Sequence, residues 1–190
     1  MIPNKTEKQH QRHLEMLRDC RDALVEVGIR PLLSGSALLG TCRDGDLVPW
    51  ERGIVLIYRA EELAVGRRRK ELKKALKRKG FLRITTKQGE RQFKFGNWDE
   101  VEGMRLLVEL PAYYLVGDDY VRRHGSRKRI IPRGFFEREP EEVVLRGETF
   151  LCPSPKEEFL RHLYGDWHRV IRVDSGKKYR NKAFMPSGAQ

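Results

Sequence analysis

Apolar residues recur three or four positions apart near the start of the chain, which is the spacing of one face of a helix. The row consists of Leu14, Leu17, Cys20, Leu24 and Val27. It predicts a helix over Thr6–Val27, with the Thr6 side chain as N-terminal cap and Gly28 just beyond the C-terminal end. His10 and His13 lie three residues apart on this helix, and we expect them on its solvated surface rather than at a metal ion.

Short apolar runs alternate with turns and helices over the following residues. Arg30–Leu33 and Ile54–Tyr58 are predicted strands, and Ala37–Cys42 is a predicted helix between them. A second long helix is predicted over Glu61–Lys79, because its apolar residues form one narrow stripe.

Hairpins dominate the second half of the chain. Phe81–Thr86 and Arg91–Phe95 form one predicted hairpin, and Val143–Leu145 and Thr149–Cys152 form another. Met104–Leu110 is a predicted strand between them. This order of elements predicts an α+β (mixed α/β) fold.

The remaining segments complete this outline. Tyr120–Arg133 is a predicted polar, basic loop. Pro155–Tyr164 is a predicted helix capped by Ser154, with Glu157 completing a capping box. We expect one domain over residues 1–172, followed by a flexible basic tail over residues 173–190.

Charge changes the range of partners to consider. The chain has 190 residues and a formal net charge of +12, which favours polyanions such as nucleic acid, nucleotide phosphates or an anionic membrane face. No stretch is apolar enough for a membrane span or a signal peptide. Three widely spaced cysteines without a CxxC motif indicate a reducing compartment. We therefore expect a cytoplasmic protein, either free or peripheral at a membrane surface.

Two separated motifs carry more specific information. The first is GSALLGTCR over residues 35–43, followed by LVPW over residues 47–50. The second is PSPKEEFLRHLYGDW over residues 153–167. In sequence, order and separation, these segments resemble the LicD/fukutin family of phosphotransferases, and the resemblance extends over about residues 10–168.

The resemblance implies a DNA-polymerase-beta-type nucleotidyltransferase fold, in which helices flank a mixed sheet. LicD-like proteins transfer phosphocholine from CDP-choline to glycans, and fukutin-like relatives use CDP-ribitol. The implied partners are a CDP-linked donor or another nucleotide, and a glycan acceptor. The implied cofactor is Mg²⁺ or Mn²⁺ if the protein is active, and none otherwise.

The chain departs from the family at its acidic positions. The family places an Asp-x-Asp pair after Pro-Trp and a third acid on a later strand, and these acids hold the metal ions. Here Gly53 and Val55 occupy the alternating positions, and neither side chain can ligate a metal. Glu51 and Glu109 remain as candidate catalytic and metal-binding acids. Arg52 places a positive charge where the family binds a dication, and it can partly replace metal in holding phosphate.

Candidate phosphate-binding residues surround these acids or belong to the second motif. They are Gly35, Ser36, Arg43, Trp50, Arg52 and Lys156. Alternative roles stay open for some of them: Gly35-Ser36 as an ordinary turn, Trp50 as a core residue, and Lys156 as a residue that caps and orients the last helix.

Basic residues cluster in the second predicted helix. Arg67–Lys79 carries nine positive charges in thirteen residues. The candidate polyanion-binding residues are Arg67, Arg68, Arg69, Lys73, Lys77, Arg127, Lys128 and Arg129. The alternative is an ordinary solvated face.

These observations leave two functional hypotheses. In the first, the chain is a LicD-like enzyme that moves phosphocholine or a polyol phosphate from a CDP-linked donor to a glycan. In the second, it is a catalytically degenerate member that binds a nucleotide, RNA or another polyanion as a binding or assembly module.

Overall fold

A computed structural model describes residues 3–64, 67–81, 85–89, 92–124, 127–170 and 184–186. The helices in these residues are α1 (Glu7–Glu26), α2 (Gly35–Asp44), α3 (Ala60–Ala64), α4 (Arg68–Arg78), α5 (Gly134–Glu137) and α6 (Lys156–Tyr164). The strands are β1 (Leu32–Ser34), β2 (Gly53–Arg59), β3 (Thr85–Gly89), β4 (Gln92–Val101), β5 (Met104–Val116), β6 (Asp119–His124), β7 (Arg127–Pro132), β8 (Glu141–Leu145), β9 (Glu148–Cys152) and β10 (Phe184–Pro186).

Most strands belong to one mixed sheet. Along the sheet the order is β1, β2, β5, β6, β7 and β10, with β4 also paired to β5 and β3 paired to β4. The β2–β5 pair is parallel and the other pairs are antiparallel, while β8 and β9 form a separate hairpin. The predicted fold class, α+β with a mixed sheet flanked by helices, is confirmed.

Helix α1 begins as its sequence predicts. The Thr6 hydroxyl accepts a hydrogen bond from the Gln9 backbone N–H at 3.3 Å, and the Gln9 side-chain oxygen accepts one from the Thr6 N–H at 2.8 Å. This reciprocal capping box stabilises the first turn. Leu17, Cys20 and Leu24 of the apolar row are fully buried, so α1 packs its predicted face into the core.

The predicted helix over Glu61–Lys79 is wrong as a single element. Helix α3 ends at Ala64 and α4 begins at Arg68. The Arg68 guanidinium donates a hydrogen bond to the Glu62 carbonyl oxygen at 2.8 Å. This contact ties the start of α4 to α3.

The predicted loop over Tyr120–Arg133 is also wrong. Strands β6 and β7 form an antiparallel pair in which Tyr120 faces Ile131 across the ladder. Both side chains are buried, at 1% and 0% exposure, whereas their neighbours along each strand are half-buried or exposed. This alternation is the pattern of strands with one covered face, and the high charge of the other positions concealed it in the sequence.

The last helix has a different cap from the predicted one. Helix α6 begins at Lys156, and the predicted Ser154 cap does not form. The Glu141 carboxylate accepts hydrogen bonds from the Lys156 backbone N–H at 3.0 Å and from the Ser154 hydroxyl at 3.2 Å. A carboxylate from β8 therefore satisfies the start of α6. Of the expected flexible tail over residues 173–190, only β10 lies within the described residues, and it pairs with β7.

The central strand β5 has two unlike faces. Leu106, Val108 and Leu110 are at most 1% exposed, whereas Leu107 and Glu109 are half-buried. Helices cover the first face, and the second face is partly exposed. Within the described chain, none of the helices has the length and apolarity that a membrane crossing requires.

Candidate functional site

The partly exposed face of the β2–β5 pair brings together three positions at which the family resemblance predicts acids. In the parallel register, Gly53 lies beside Leu107 and Val55 beside Glu109. Paired residues in a sheet point to the same face, and so do residues two apart on one strand. Gly53, Val55 and Glu109 therefore share one face on adjacent strands.

The start of α2 lies against this face. Gly35 has a φ of +65°, and a Cβ atom added to it would lie 3.7 Å from the Val55 Cβ and 3.9 Å from the Tyr164 hydroxyl. The Ser36 hydroxyl donates a hydrogen bond to the Gly53 carbonyl oxygen at 3.1 Å. The structure thus places the Gly-Ser pair and the end of the second motif beside the acid positions.

The first turn of α2 has the character of an anion site. Ser34, the residue before the helix, is extended and makes no side-chain hydrogen bond to the helix start. The first backbone N–H groups of a helix lack intrahelical acceptors, and the helix dipole adds partial positive charge there. A phosphate oxygen can accept from such groups.

Gly40 explains the Leu-Leu-Gly part of the first motif. A Cβ atom at Gly40 would lie 2.3 Å from the Asp46 carbonyl oxygen and 2.7 Å from the Val48 backbone nitrogen. The absence of a side chain lets the segment after α2 pack directly on the helix. Gly40 is therefore a packing residue that holds the loop leading to Glu51.

Two of the predicted phosphate-binding side chains have protein partners away from the α2 start. The Arg43 guanidinium pairs with the Asp44 carboxylate at 2.8 and 2.6 Å, and its side chain is 7% exposed. Arg43 stands about 12 Å along α2 from Gly35, because a helix rises about 1.5 Å per residue. The Lys156 ammonium donates to Glu141 at 2.5 Å.

Trp50 and Arg52 flank Glu51 in the loop before β2. Trp50 is half-buried and Arg52 is exposed. The Arg52 carbonyl oxygen accepts a hydrogen bond from the Leu107 backbone N–H at 2.7 Å, which extends the β2–β5 pairing up to the loop.

Each remaining candidate acid has a cationic neighbour from the protein. Glu109 accepts a hydrogen bond from the Arg122 guanidinium at 3.3 Å, and the Arg122 side chain is only 10% exposed. Burial raises the pKa of Glu51, and the Lys5 ammonium partly offsets that rise. Among the described residues there is no cluster of three or more His, Cys, Asp or Glu side chains able to hold a metal ion.

Beside Glu51 lies a buried polar pair that the sequence did not predict. The Lys5 ammonium donates to the His13 Nδ1 atom at 3.3 Å, and the His13 Nε2–H donates to the Leu107 carbonyl oxygen at 3.1 Å. Burial lowers the pKa of Lys5 to about 8 and that of His13 to about 3. The expectation that His10 and His13 are solvated is wrong, since they are 6% and 0% exposed.

The predicted polyanion-binding residues fall on two elements. Arg67, at the start of α4, and Lys73 and Lys77 within it are exposed. Arg68 is held by α3, as described above, and Arg69 is half-buried. On β7, Lys128 and Arg129 are half-buried, and the Arg127 side chain lies outside the described residues.

Comparisons with known proteins give likenesses of fold alone. No protein-family model and no curated protein matches the sequence. A solution structure of the antibiotic-resistance factor ANT(2'')-Ia aligns with 16% identity and a TM-score of 0.48, covering 76% of this chain and 66% of that one. A crystal structure of ANT(2'')-Ia in complex with adenylyl-2''-tobramycin gives 17% identity and a TM-score of 0.44, covering 73% and 67%.

A third similar structure is TM1012 from Thermotoga maritima, provisionally described as a nucleotidyltransferase. It aligns with 16% identity and a TM-score of 0.44, covering 80% of this chain and 84% of that one. The chain thus spans about two thirds of the length of ANT(2'')-Ia. With TM-scores below 0.5, these likenesses assign no ligand or activity to this chain.

Proposed function

We propose that the protein has a nucleotidyltransferase-type site that binds a nucleotide through its phosphates, without metal-dependent turnover. The two sequence motifs make the LicD/fukutin family its proposed ancestry. A CDP-linked compound is the proposed ligand class, and the glycan acceptor of that family belongs only to the alternative in which catalysis is retained.

One observation carries this proposal. The N-terminus of α2, with Gly35 and Ser36, lies against the β2–β5 face on which Gly53, Val55 and Glu109 converge. This arrangement joins an anion-binding helix start to the three positions at which the family holds metal ions. It supports a phosphate site from which most of the metal-binding groups have been lost.

The side chains at these positions argue against turnover. Phosphoryl transfer depends on metal ions that position the phosphates and neutralise the developing charge. Gly53 and Val55 offer no ligand, and Arg122 already pairs with Glu109. A divalent cation would have to displace a nearly buried guanidinium to reach Glu109.

Calorimetric titration with CDP tests the proposal directly. We expect binding in the presence of EDTA, with a dissociation constant that changes little when Mn²⁺ replaces the chelator. The phosphates make the main contacts, so cytidine without phosphate should bind far more weakly. Strictly Mn²⁺-dependent binding of CDP would contradict the proposal and favour the enzyme hypothesis.

A matched pair of variants tests whether the acid positions define the site. The double change Gly53→Asp with Val55→Asp should introduce Mn²⁺ dependence into CDP binding, because two carboxylates then face the phosphates. The double change to Asn at the same positions is the control, with similar shape and no charge. A Cβ atom at Gly53 meets Leu107 Cδ2 at 4.0 Å, so there is room for a Cβ atom at position 53. Equal metal responses in the two variants would refute this placement of the site.

The alternative of an active phosphotransferase has its own test. The wild-type protein is incubated with CDP-choline or CDP-ribitol and Mn²⁺, and release of CMP is followed. We expect none above the rate without protein. Release that the Glu109→Gln change abolishes would establish the enzyme hypothesis instead.

A further inference from the structure

Apart from Arg69, the basic residues of α4 and of its two caps, Arg67 and Lys79, divide into two groups. In the first group, the Arg68 guanidinium donates a hydrogen bond to the Glu62 carbonyl oxygen, and Arg78 pairs with Glu26 of α1. The Lys79 ammonium lies 3.6 Å from the carboxylate of Asp22, also in α1. These contacts give the first group a structural role, because they fasten α4 to its neighbours α1 and α3.

The second group forms an exposed row that we call the α4 ridge. It comprises Arg67, Lys70, Lys73, Lys74 and Lys77, all exposed. Their spacing places them on one side of the helix, opposite the buried residues Leu72, Ala75 and Leu76. None of the five side chains forms a hydrogen bond or ion pair with another described residue.

The positive charges of the α4 ridge are largely uncompensated by acidic side chains of the same helix. Glu71 is the only acid in α4, while most neighbours along the ridge are cations three or four residues apart. Like charges at this spacing destabilise a helix. Bound anions would remove this repulsion, whereas solvent exposure alone would leave it.

We infer that the α4 ridge binds the phosphate backbone of a nucleic-acid duplex. Successive cations on the ridge are about 5–6 Å apart at their Cβ atoms, so several phosphates of one strand lie within reach of the long lysine side chains. Contacts from lysine to phosphate carry no sequence information, and the ridge has no Asn or Gln side chain to read base edges.

Other anionic partners fit the α4 ridge less well. Single strands are held by stacking of bases on aromatic side chains, and α4 has no aromatic residue. A helix that lies in a membrane surface inserts apolar side chains, but those of α4 are buried in the protein. Protein interfaces are depleted in lysine, which supplies four of the five ridge cations.

Salt dependence of duplex binding tests this inference independently of the nucleotide site. Fluorescence anisotropy is measured with RNA and DNA duplexes of one sequence of about 20 base pairs, between about 50 and 200 mM KCl. Each neutralised phosphate contributes about −0.9 to the slope of log K against log salt. The triple change Lys70→Gln, Lys74→Gln, Lys77→Gln should therefore reduce the magnitude of the slope by about 2.7. The two duplexes should respond alike.

A charge-matched control variant distinguishes an effect of the α4 ridge from an effect of the protein's net charge. Arg138→Gln, Arg161→Gln and Arg169→Gln remove the same three charges at exposed positions on or near α5 and α6. This control should keep the wild-type slope. Equal slopes for all three proteins, or equal losses in both variants, would overturn the inference.

Vesicles of phosphatidylserine and phosphatidylcholine provide the membrane arm of the experiment. We expect the triple ridge change to alter binding to duplexes far more than binding to these vesicles. If only vesicle binding depended on the ridge, the duplex inference would be wrong. Circular dichroism of each variant checks that the exposed substitutions leave the fold intact.

Discussion

The buried imidazole of His13 predicts a specific loss of stability in acid. His13 is fully buried, and its ring nitrogens are committed to the Lys5 ammonium and the Leu107 carbonyl oxygen. Desolvation by burial, together with the charge of Lys5, lowers the pKa of His13 from 6.5 to about 3. The native protein therefore keeps this ring neutral at pH values at which the unfolded chain protonates it.

The sign and size of the effect follow from proton linkage. Between pH 6.5 and pH 3 the unfolded state binds one more proton than the native state at His13, so the free energy of unfolding falls as the pH falls. One pKa unit corresponds to about 1.4 kcal/mol, which gives a total of about 5 kcal/mol for the full shift. About 2 kcal/mol of this is lost by pH 5 and about 3 kcal/mol by pH 4.

The change His13→Gln isolates this contribution. The glutamine amide can donate to Leu107 and accept from Lys5, and it does not titrate. Urea unfolding followed by tryptophan fluorescence at pH 7, 5 and 4 gives the free energy of unfolding of each protein. The wild type should lose about 2 kcal/mol more than the variant between pH 7 and pH 5. Parallel pH profiles for the two proteins would refute the assignment of His13 as a buried neutral base.

Three further changes probe neighbouring parts of the structure. Burial lowers the pKa of Lys5 from 10.5 to about 8. Between these pH values the unfolded chain binds more protons than the native protein, so the wild-type free energy of unfolding should rise by about 3 kcal/mol as the pH increases from 8 to 10.5. Lys5→Met should remove that rise, as measured by urea unfolding. Gly40→Ala should cost about 1–3 kcal/mol in the same assay, because its Cβ would overlap the Asp46 carbonyl oxygen, whereas Gly134→Ala, with room for a Cβ, should change little. Arg146→Asn should lower the thermal midpoint, because it removes the 2.6 Å ion pair with Asp46 while keeping a residue suited to the positive φ of +49°. This loss should shrink in 1 M salt, and a loss independent of salt would argue against the ion pair.

Local sequence patterns predicted the strands of the site, but they did not predict which strands lie next to each other in the sheet. Strand Ile54–Tyr58 and strand Met104–Leu110 were both recognisable, and both lie within observed strands. Their parallel pairing was not predicted. Period-two burial identifies a strand, but it does not say which distant strand lies beside it.

The residues that sequence reasoning misplaced share one physical cause. His13 lies four residues before Leu17, on the side of α1 that carries the apolar row. A buried polar ring needs hydrogen-bond partners. Its partners, Lys5 and Leu107, come next to it only after folding. Likewise the cap of α6 comes from Glu141, which precedes the helix by fifteen residues and reaches it through the β8–β9 hairpin. Long-range hydrogen bonds of this kind leave no local pattern.

The charges around this face of the β2–β5 pair bear on the proposal that the site works without metal. Several carboxylates on one face repel one another unless a dication lies between them. In this protein two of the acid positions are neutral, Glu109 pairs with Arg122, and the Lys5 ammonium acts on Glu51. Arg122 and Lys5 supply fixed positive charge beside Glu109 and Glu51, and under the proposed function this arrangement favours binding of a phosphate over its transfer.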